Sequence, residues 1–160
     1  MTVSQNSDGV NAASRQSTSK LYNQDFCLWA EETVKLLREG KFLKLDLESL
    51  IEEVEDMSGS QRRALLSNLR VLLMHLLKYK YQPEKRSTSW RSSIIEHRIR
   101  LEDAFEESPS LRGYFLKVFD QAYQKARKQA ALETELPLNR FPIESPFTTE
   151  QILNEDFLPE

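Results

Sequence analysis

One cysteine, four glycines, six prolines and two histidines in 160 residues leave the chain short of the groups on which several protein classes depend. A single thiol, Cys27, permits neither an intramolecular disulfide nor a thiolate zinc cluster, and its helical spacing beside Phe26 and Ala30 predicts a small core residue. Walker motifs, glycine-rich phosphate loops, nucleophile elbows and cysteine-based metal motifs are all absent. No apolar run approaches the roughly 20 residues that cross a bilayer. The opening MTVSQNSDGVNAASRQSTSK lacks the apolar core of a secretion signal. The expectation is a soluble, cytoplasmic protein with no membrane association and no cofactor.

What is abundant is Leu, Glu, Lys, Arg and Gln, with few β-branched runs, and this composition predicts an all-α protein. Residues 1–19, with five serines and no aromatic side chain, read as a disordered tail. Residues 20–160 then form a single α-helical domain, with an arm over 137–160. A first helix is expected from about Gln24 to Arg38, burying Phe26, Trp29, Ala30, Thr33, Leu36 and Leu37, with Gly40 at its C-terminal cap. Asp46 caps the next helix, with Leu45 and Leu50 as its hydrophobic staple. The periodic pattern resumes directly after Ser58-Gly59-Ser60, so one long central helix with a kink is predicted.

Projected at about 100° per residue, positions 62–79 give an apolar arc of roughly 240°, wide enough to contact two neighbours. Arg63, Ser67, Arg70, Met74 and Lys78 form the solvent stripe, whereas Asn68 and His75 fall inside the arc. Ser87 to Ser89 start a third helix carrying Trp90, Ile94, His97, Leu101, Ala104 and Phe105 on one face, and Ser108-Pro109 starts a fourth. Tight turns make these helices antiparallel neighbours. In the arm, Thr148 and Gln151 form a capping-box pattern at one short closing helix. The fold expected is a helical bundle.

Charge is segregated along the chain. Residues 25–57 hold ten acidic and four basic side chains, 61–100 ten basic and two acidic, and 133–160 seven acidic and one basic. The acidic ends could pair with the basic middle, or the middle could meet an anionic partner. Lys78, Lys80, Lys85, Arg86 and Arg91 interleave with Tyr79, Tyr81 and Trp90, a combination suited to phosphates and stacked bases. Tyr79 and Trp90 fit the core pattern equally well, and the net charge of −3 argues against a dedicated nucleic-acid protein. Glu48, Glu52 and Glu55, with Glu31 and Glu32 on the preceding helix, offer oxygen ligands for Mg²⁺ or Mn²⁺, but a solvated acidic face is the commoner outcome. No metal site is assigned.

A hairpin centred near Glu84-Lys85 brings His75 level with Ile94 and Ile95, and Glu96, His97 and Arg98 within about one turn. An imidazole held by a carboxylate can serve as a general base or bind a metal, so His75 and Glu96 are the candidate catalytic residues. The structural alternative makes His75, Asn68 and Glu96 a satisfied polar core that fixes helix register.

The blocks LYNQDFCLWAEETVKLLREGKF, LDLESLIEEVEDM, LLMHLLKYKYQPEKRSTSW, SPSLRGYF and FPIESPFTTEQILNEDFLP follow one another in this order. Together they resemble the bacterial domain of unknown function number twenty-nine, a family abundant in cyanobacteria, over Leu21 to Pro159. The resemblance implies a helical, bundle-like bacterial protein and carries no established activity. It places the family's recurrent polar positions at Glu32, Glu53, Glu55, His75, Trp90 and Glu96. Family members commonly carry EQR where this chain has Glu96-His97-Arg98, which weakens any mechanism that needs both histidines.

The leading functional expectation is an interaction or regulatory module with an unidentified protein partner; homodimerisation is compatible with it. A hydrolytic or metal-assisted enzyme using His75 and nearby carboxylates comes second, and nucleic-acid binding through the basic hairpin 78–91 third.

Overall fold

Helices start in this chain where a side-chain oxygen can accept from the free N–H groups of a first turn. In the computed structural model, which describes residues 7–160, Asp25 accepts from the Leu28 amide at 3.0 Å and opens α2 (Phe26–Arg38). Asp46 accepts from the Ser49 amide at 3.3 Å at the start of α3 (Leu47–Tyr81), and Ser87 accepts from the Trp90 amide at 3.2 Å at the start of α4 (Thr88–Glu107). Thr148 and Gln151 form the reciprocal capping box of α6 (Thr149–Leu153), with bonds of 3.2 and 3.0 Å. At the other end of α2, Gly40 adopts φ 67°, and the amides of Gly40 and Lys41 close back on the carbonyls of Leu37 and Leu36. The remaining helices are α1 (Ser7–Gln24) and α5 (Leu111–Thr134), and the described residues contain no strand. The all-α expectation is met.

At the N-terminus a sequence expectation changes. From Ser7 onward the segment read as a disordered tail is the helix α1, while residues 1–6 lie outside the described residues. Its polar side chains find local use: Thr18 donates to the Ser14 carbonyl, and Arg15 bonds the Leu43 carbonyl. The single long central helix is present as expected: α3 stays helical through Ser58-Gly59-Ser60. By its packing the chain divides into a unit ending at Ser58 and a unit Gly59–Glu160.

The first unit contains α1, α2, a 3-10 turn at Phe42–Lys44 and the opening turns of α3. Trp29, Thr33 and Leu36 form the buried stripe of α2, joined in the interior by Leu45. Cys27 sits about 200° before Trp29 on the helix and is exposed, so it is not the small core residue expected. Phe26 and Leu37, also expected inside, lie on the exposed side. Tyr22 stacks edge-on against Trp29 and donates to Glu53 Oε1 at 2.7 Å. That bond first, then burial and the neighbouring carboxylates, pushes the Tyr22 pKa up to about 12, so the phenol remains a donor at neutral pH.

In the second unit the later turns of α3 pack with α4, α5 and the arm. Leu65, Leu69, Leu72, Leu73, Leu76 and Leu77 are fully buried with Ile94, Leu101, Ala122 and Tyr123. Met74 and Lys78, placed on the solvent stripe by the helical projection, are buried as well. The apolar face is wider still than the sequence arc. Helix α5 begins at Leu111, later than Ser108-Pro109 suggested; the Ser108 hydroxyl donates instead to Gln61 Oε1 at 3.0 Å.

The arm is fastened through its main chain. Arg98, 4% exposed, donates to the carbonyls of Ile152 and Phe157 at 2.8 Å and of Glu155 at 3.2 Å, with a longer contact to Gln151 at 3.5 Å. Arg127 donates to Phe141 O at 2.9 Å and Leu138 O at 3.2 Å, and Tyr123 donates to Pro142 O at 2.7 Å. Phe141, Phe147 and Ile152 complete the core from the arm side.

Replacing Arg98 by Lys leaves a buried cation able to reach fewer carbonyls, and we expect a loss of about 2–4 kcal/mol. Urea unfolding of Arg98→Lys and amide exchange over Gln151–Leu158 measure this together: the exchange protection of that segment should fall before the rest of the unit opens. An unchanged midpoint would show that the arm is held by its aromatic contacts alone.

Candidate functional site

The hairpin of α3 and α4 brings the two histidines to one seam, as the register predicts, but their partner is not the one expected. His75 Nδ1 lies 2.9 Å from the Val71 carbonyl and 3.3 Å from Ser93 Oγ. His97 Nδ1 lies 2.8 Å from the Ser93 carbonyl and 3.4 Å from the same Oγ. A carbonyl can only accept, so Nδ1–H donates in both rings, each to a residue one turn earlier on its own helix. Glu96 is absent from this cluster. It lies about 200° around α4 from Ile94, on the exposed side, and accepts from Arg100 Nε at 2.8 Å. Hairpin register had set the right height along the helix, whereas rotation about the axis selected Ser93.

This arrangement has limited chemistry. A nucleophilic serine needs an unprotonated ring nitrogen to take its proton, and both Nδ1 atoms near Ser93 already carry hydrogens committed to carbonyls. Burial, the largest influence, holds His75 below the ordinary histidine pKa; Lys78 and His97 act in the same sense, while the Val71 carbonyl and Glu133 oppose it. Asn68, the other residue assigned to a polar core, is half-buried and lines an open cleft of about 280 Å³ between α3 and α4 with Gln61, Arg100 and Asp103. Among the described residues, no three His, Cys, Asp or Glu side chains come together as metal ligands.

The five cations grouped as an anion site are not equivalent. Lys78 is buried, bonds Glu133 Oε2 of α5 at 2.7 Å and stands 4.6 Å over the Trp90 ring. Although burial raises Glu133, its bonds from Lys78 and Gln129 bring its pKa below the usual carboxylate range. Arg86 covers the Tyr79 ring and donates to the carbonyls of Tyr79 and Pro159. Lys85 and Arg91 are exposed and Lys80 is half-buried, with no carboxylate in bonding range of any of them among the described residues. Pairing between charged segments is therefore sparse: among the described residues, it is the single Lys78–Glu133 bridge across helices.

A different surface stands out in the first unit. Among the described residues, ten large apolar side chains between Phe26 and Met57 are exposed, against six in the whole second unit, so the shorter unit carries most of the exposed large apolar side chains. On α3 the exposed set includes Leu47, Ile51, Val54 and Met57 at 51, 56, 59 and 68%. The period is legible in LDLESLIEEVEDM, where the glutamates that mark an acidic helix alternate with this apolar stripe.

The family model described as Domain of unknown function DUF29 matches residues 21–158, and the chain belongs to that family. Neither a curated protein nor a solved structure matches it.

The lowered pKa of His75 has a consequence for stability. The unfolded chain takes up a proton near pH 6.5, where the folded seam still resists it. The contribution of His75 is thus fully present above that pH and is lost as pH falls through the folded pKa. Unfolding free energy, measured in urea from pH 7.5 down to 5, should decline; in His75→Asn, which keeps a donor for the Val71 carbonyl but does not titrate, the decline should be shallower. Parallel slopes for the two proteins would place the pH dependence elsewhere.

Proposed function

We propose that the chain is a cytoplasmic helical interaction module whose docking surface is the exposed apolar face of its N-terminal unit. The observation that carries this reading is the concentration of uncovered apolar side chains between Phe26 and Met57, since monomers seldom leave large contiguous apolar patches in water and such patches mark interaction sites. On α3 the apolar strip is bordered by the exposed Glu48, Glu52 and Glu55, which suits reversible association with a protein partner. The hydrolytic alternative draws less support from the seam, where His75 and His97 both donate through Nδ1 and Ser93 has no base. The nucleic-acid alternative is left with Lys80, Lys85 and Arg91 once Lys78 and Arg86 are engaged by the protein itself.

Photo-crosslinking tests the reading in bacterial cells that produce the full chain. A benzoylphenylalanine in place of Ile51 should give a discrete protein adduct. The same group in place of Leu132, exposed on α5 in the second unit, should not. Equal labelling from both positions, or none from position 51, would remove the module reading.

A further inference from the structure

From the charge that borders the exposed stripe of α3, and resting on the interaction reading above, we infer that the occupant is a cationic amphipathic helix of another protein. At about 100° per residue, Leu47, Ile51 and Val54 share an arc of roughly 60°. The adjoining arc, beyond Ile51, holds Glu55, Glu48 and Glu52 within roughly the same width. All three carboxylates are exposed, and none lies within bonding distance of a cationic side chain among the described residues. The opposite flank, beyond Val54, carries the exposed Met57 and then Glu53, which accepts from Tyr22 where the unit's own packing begins.

The face is therefore one-sided: a strip of aliphatic side chains with a single rail of negative charge. A helix laid along it, with its own apolar residues at intervals of three and four, meets the strip with those residues and the rail with whatever lies on one of its flanks. Lysine or arginine on that flank converts three unpaired carboxylates into cross-helix pairs, in the way flanking charges choose partners in paired helices. An acidic flank is repelled. The same rule disfavours a second copy of this chain, since antiparallel pairing of two such faces sets each rail against its equivalent. It also disfavours an anionic membrane surface, which would repel the rail.

Fluorescence anisotropy on the full chain tests this with a labelled 18-residue helical peptide that carries leucine at intervals of three and four and lysine on both flanks. Three comparison peptides replace every lysine by glutamine, replace every lysine by glutamate, or keep the composition but scramble the order. The lysine peptide should bind at least about tenfold more tightly than the glutamine peptide and weaken by a similar factor between about 50 and 300 mM salt. Ile51→Asp should abolish binding, and Glu48→Lys with Glu52→Lys should reverse the preference toward the glutamate peptide. Equal affinity for the lysine and glutamine peptides would overturn the cationic chemistry while leaving an interaction surface in place. Equal affinity for the scrambled peptide would reduce the effect to charge alone and overturn helix docking. A dimer in sedimentation that Ile51→Asp dissociates would make a second copy the occupant and overturn the inference. Binding of no peptide would overturn it too, with the crosslink from position 51 still deciding independently whether the face binds a protein at all.

Discussion

A guanidinium taken out of water must find acceptors for its donors, and the second unit is organised around that requirement at Arg98. Removing an ion from water costs several kcal/mol after relaxation. Among the described residues no carboxylate bonds Arg98; the acceptors are main-chain carbonyls of Gln151, Ile152, Glu155 and Phe157. Two of these belong to α6: the Ile152 carbonyl has no partner within a helix of five residues, whereas that of Gln151 also accepts from the Asn154 amide. One side chain thus satisfies the end of a short helix, the turn after it and the final extended stretch. Burial pushes the Arg98 pKa down, yet a guanidinium keeps its proton at any ordinary pH, so the clamp does not release on titration. The planar fork matters because its donors point in fixed, divergent directions that an ammonium cannot reproduce.

The same economy explains why the segregated charges do not simply pair. Arg86, Arg98 and Arg127 all spend donors on carbonyls of the arm or of the turn beside it. An irregular, proline-punctuated segment has many unpaired carbonyls, and those carbonyls need donors more urgently than surface carboxylates need cations. Basic residues in the middle of the sequence are thus the complement of an arm without regular structure. The acidic residues before Met57 receive almost none of that charge, which leaves their unit with a rail of free carboxylates beside an uncovered apolar strip.

Local signals were read from the sequence with good accuracy because each depends on neighbours within one turn. Gly40 at positive φ, Asp46 and Ser87 as caps, and the Thr148–Gln151 box all follow from short-range geometry. The leucine core of α3 was legible for a similar reason: eighteen residues of pattern average out single exceptions. Misreadings came where a residue's role is set by a distant segment. Lys78 looks like a solvent residue until Glu133 and Trp90 are placed beside it. Ser93 carries no signal beyond being small and polar, so the more conspicuous Glu96 was preferred as the partner of His75. Arg98 was counted as one basic charge among ten, although it follows Ile94 by one turn and precedes Leu101 by three residues, a spacing that puts it on the buried face. α1 was missed because serine-rich composition argues against helix, and composition does not register side chains that return to the backbone as Thr18 does.

Helix α3 shows within one element how pattern decides between closure and recruitment. Over residues 62–79 its apolar positions spread so widely that the helix can only be stable when surrounded, and the unit supplies the surroundings. Over residues 47–58 the apolar residues keep to a narrow strip bordered by glutamates. A narrow strip can be left in water at a tolerable cost: each exposed aliphatic side chain forgoes roughly 1.5–3 kcal/mol of burial, but it does not unfold the helix that carries it. Carboxylates alongside the strip raise the free energy of indiscriminate apolar contact, because any occupant must also meet their charge. Stability would be served by polar residues at Leu47, Ile51 and Val54. On the reading proposed above, their presence, with acids where they oppose self-association, is explained by a partner of opposite charge.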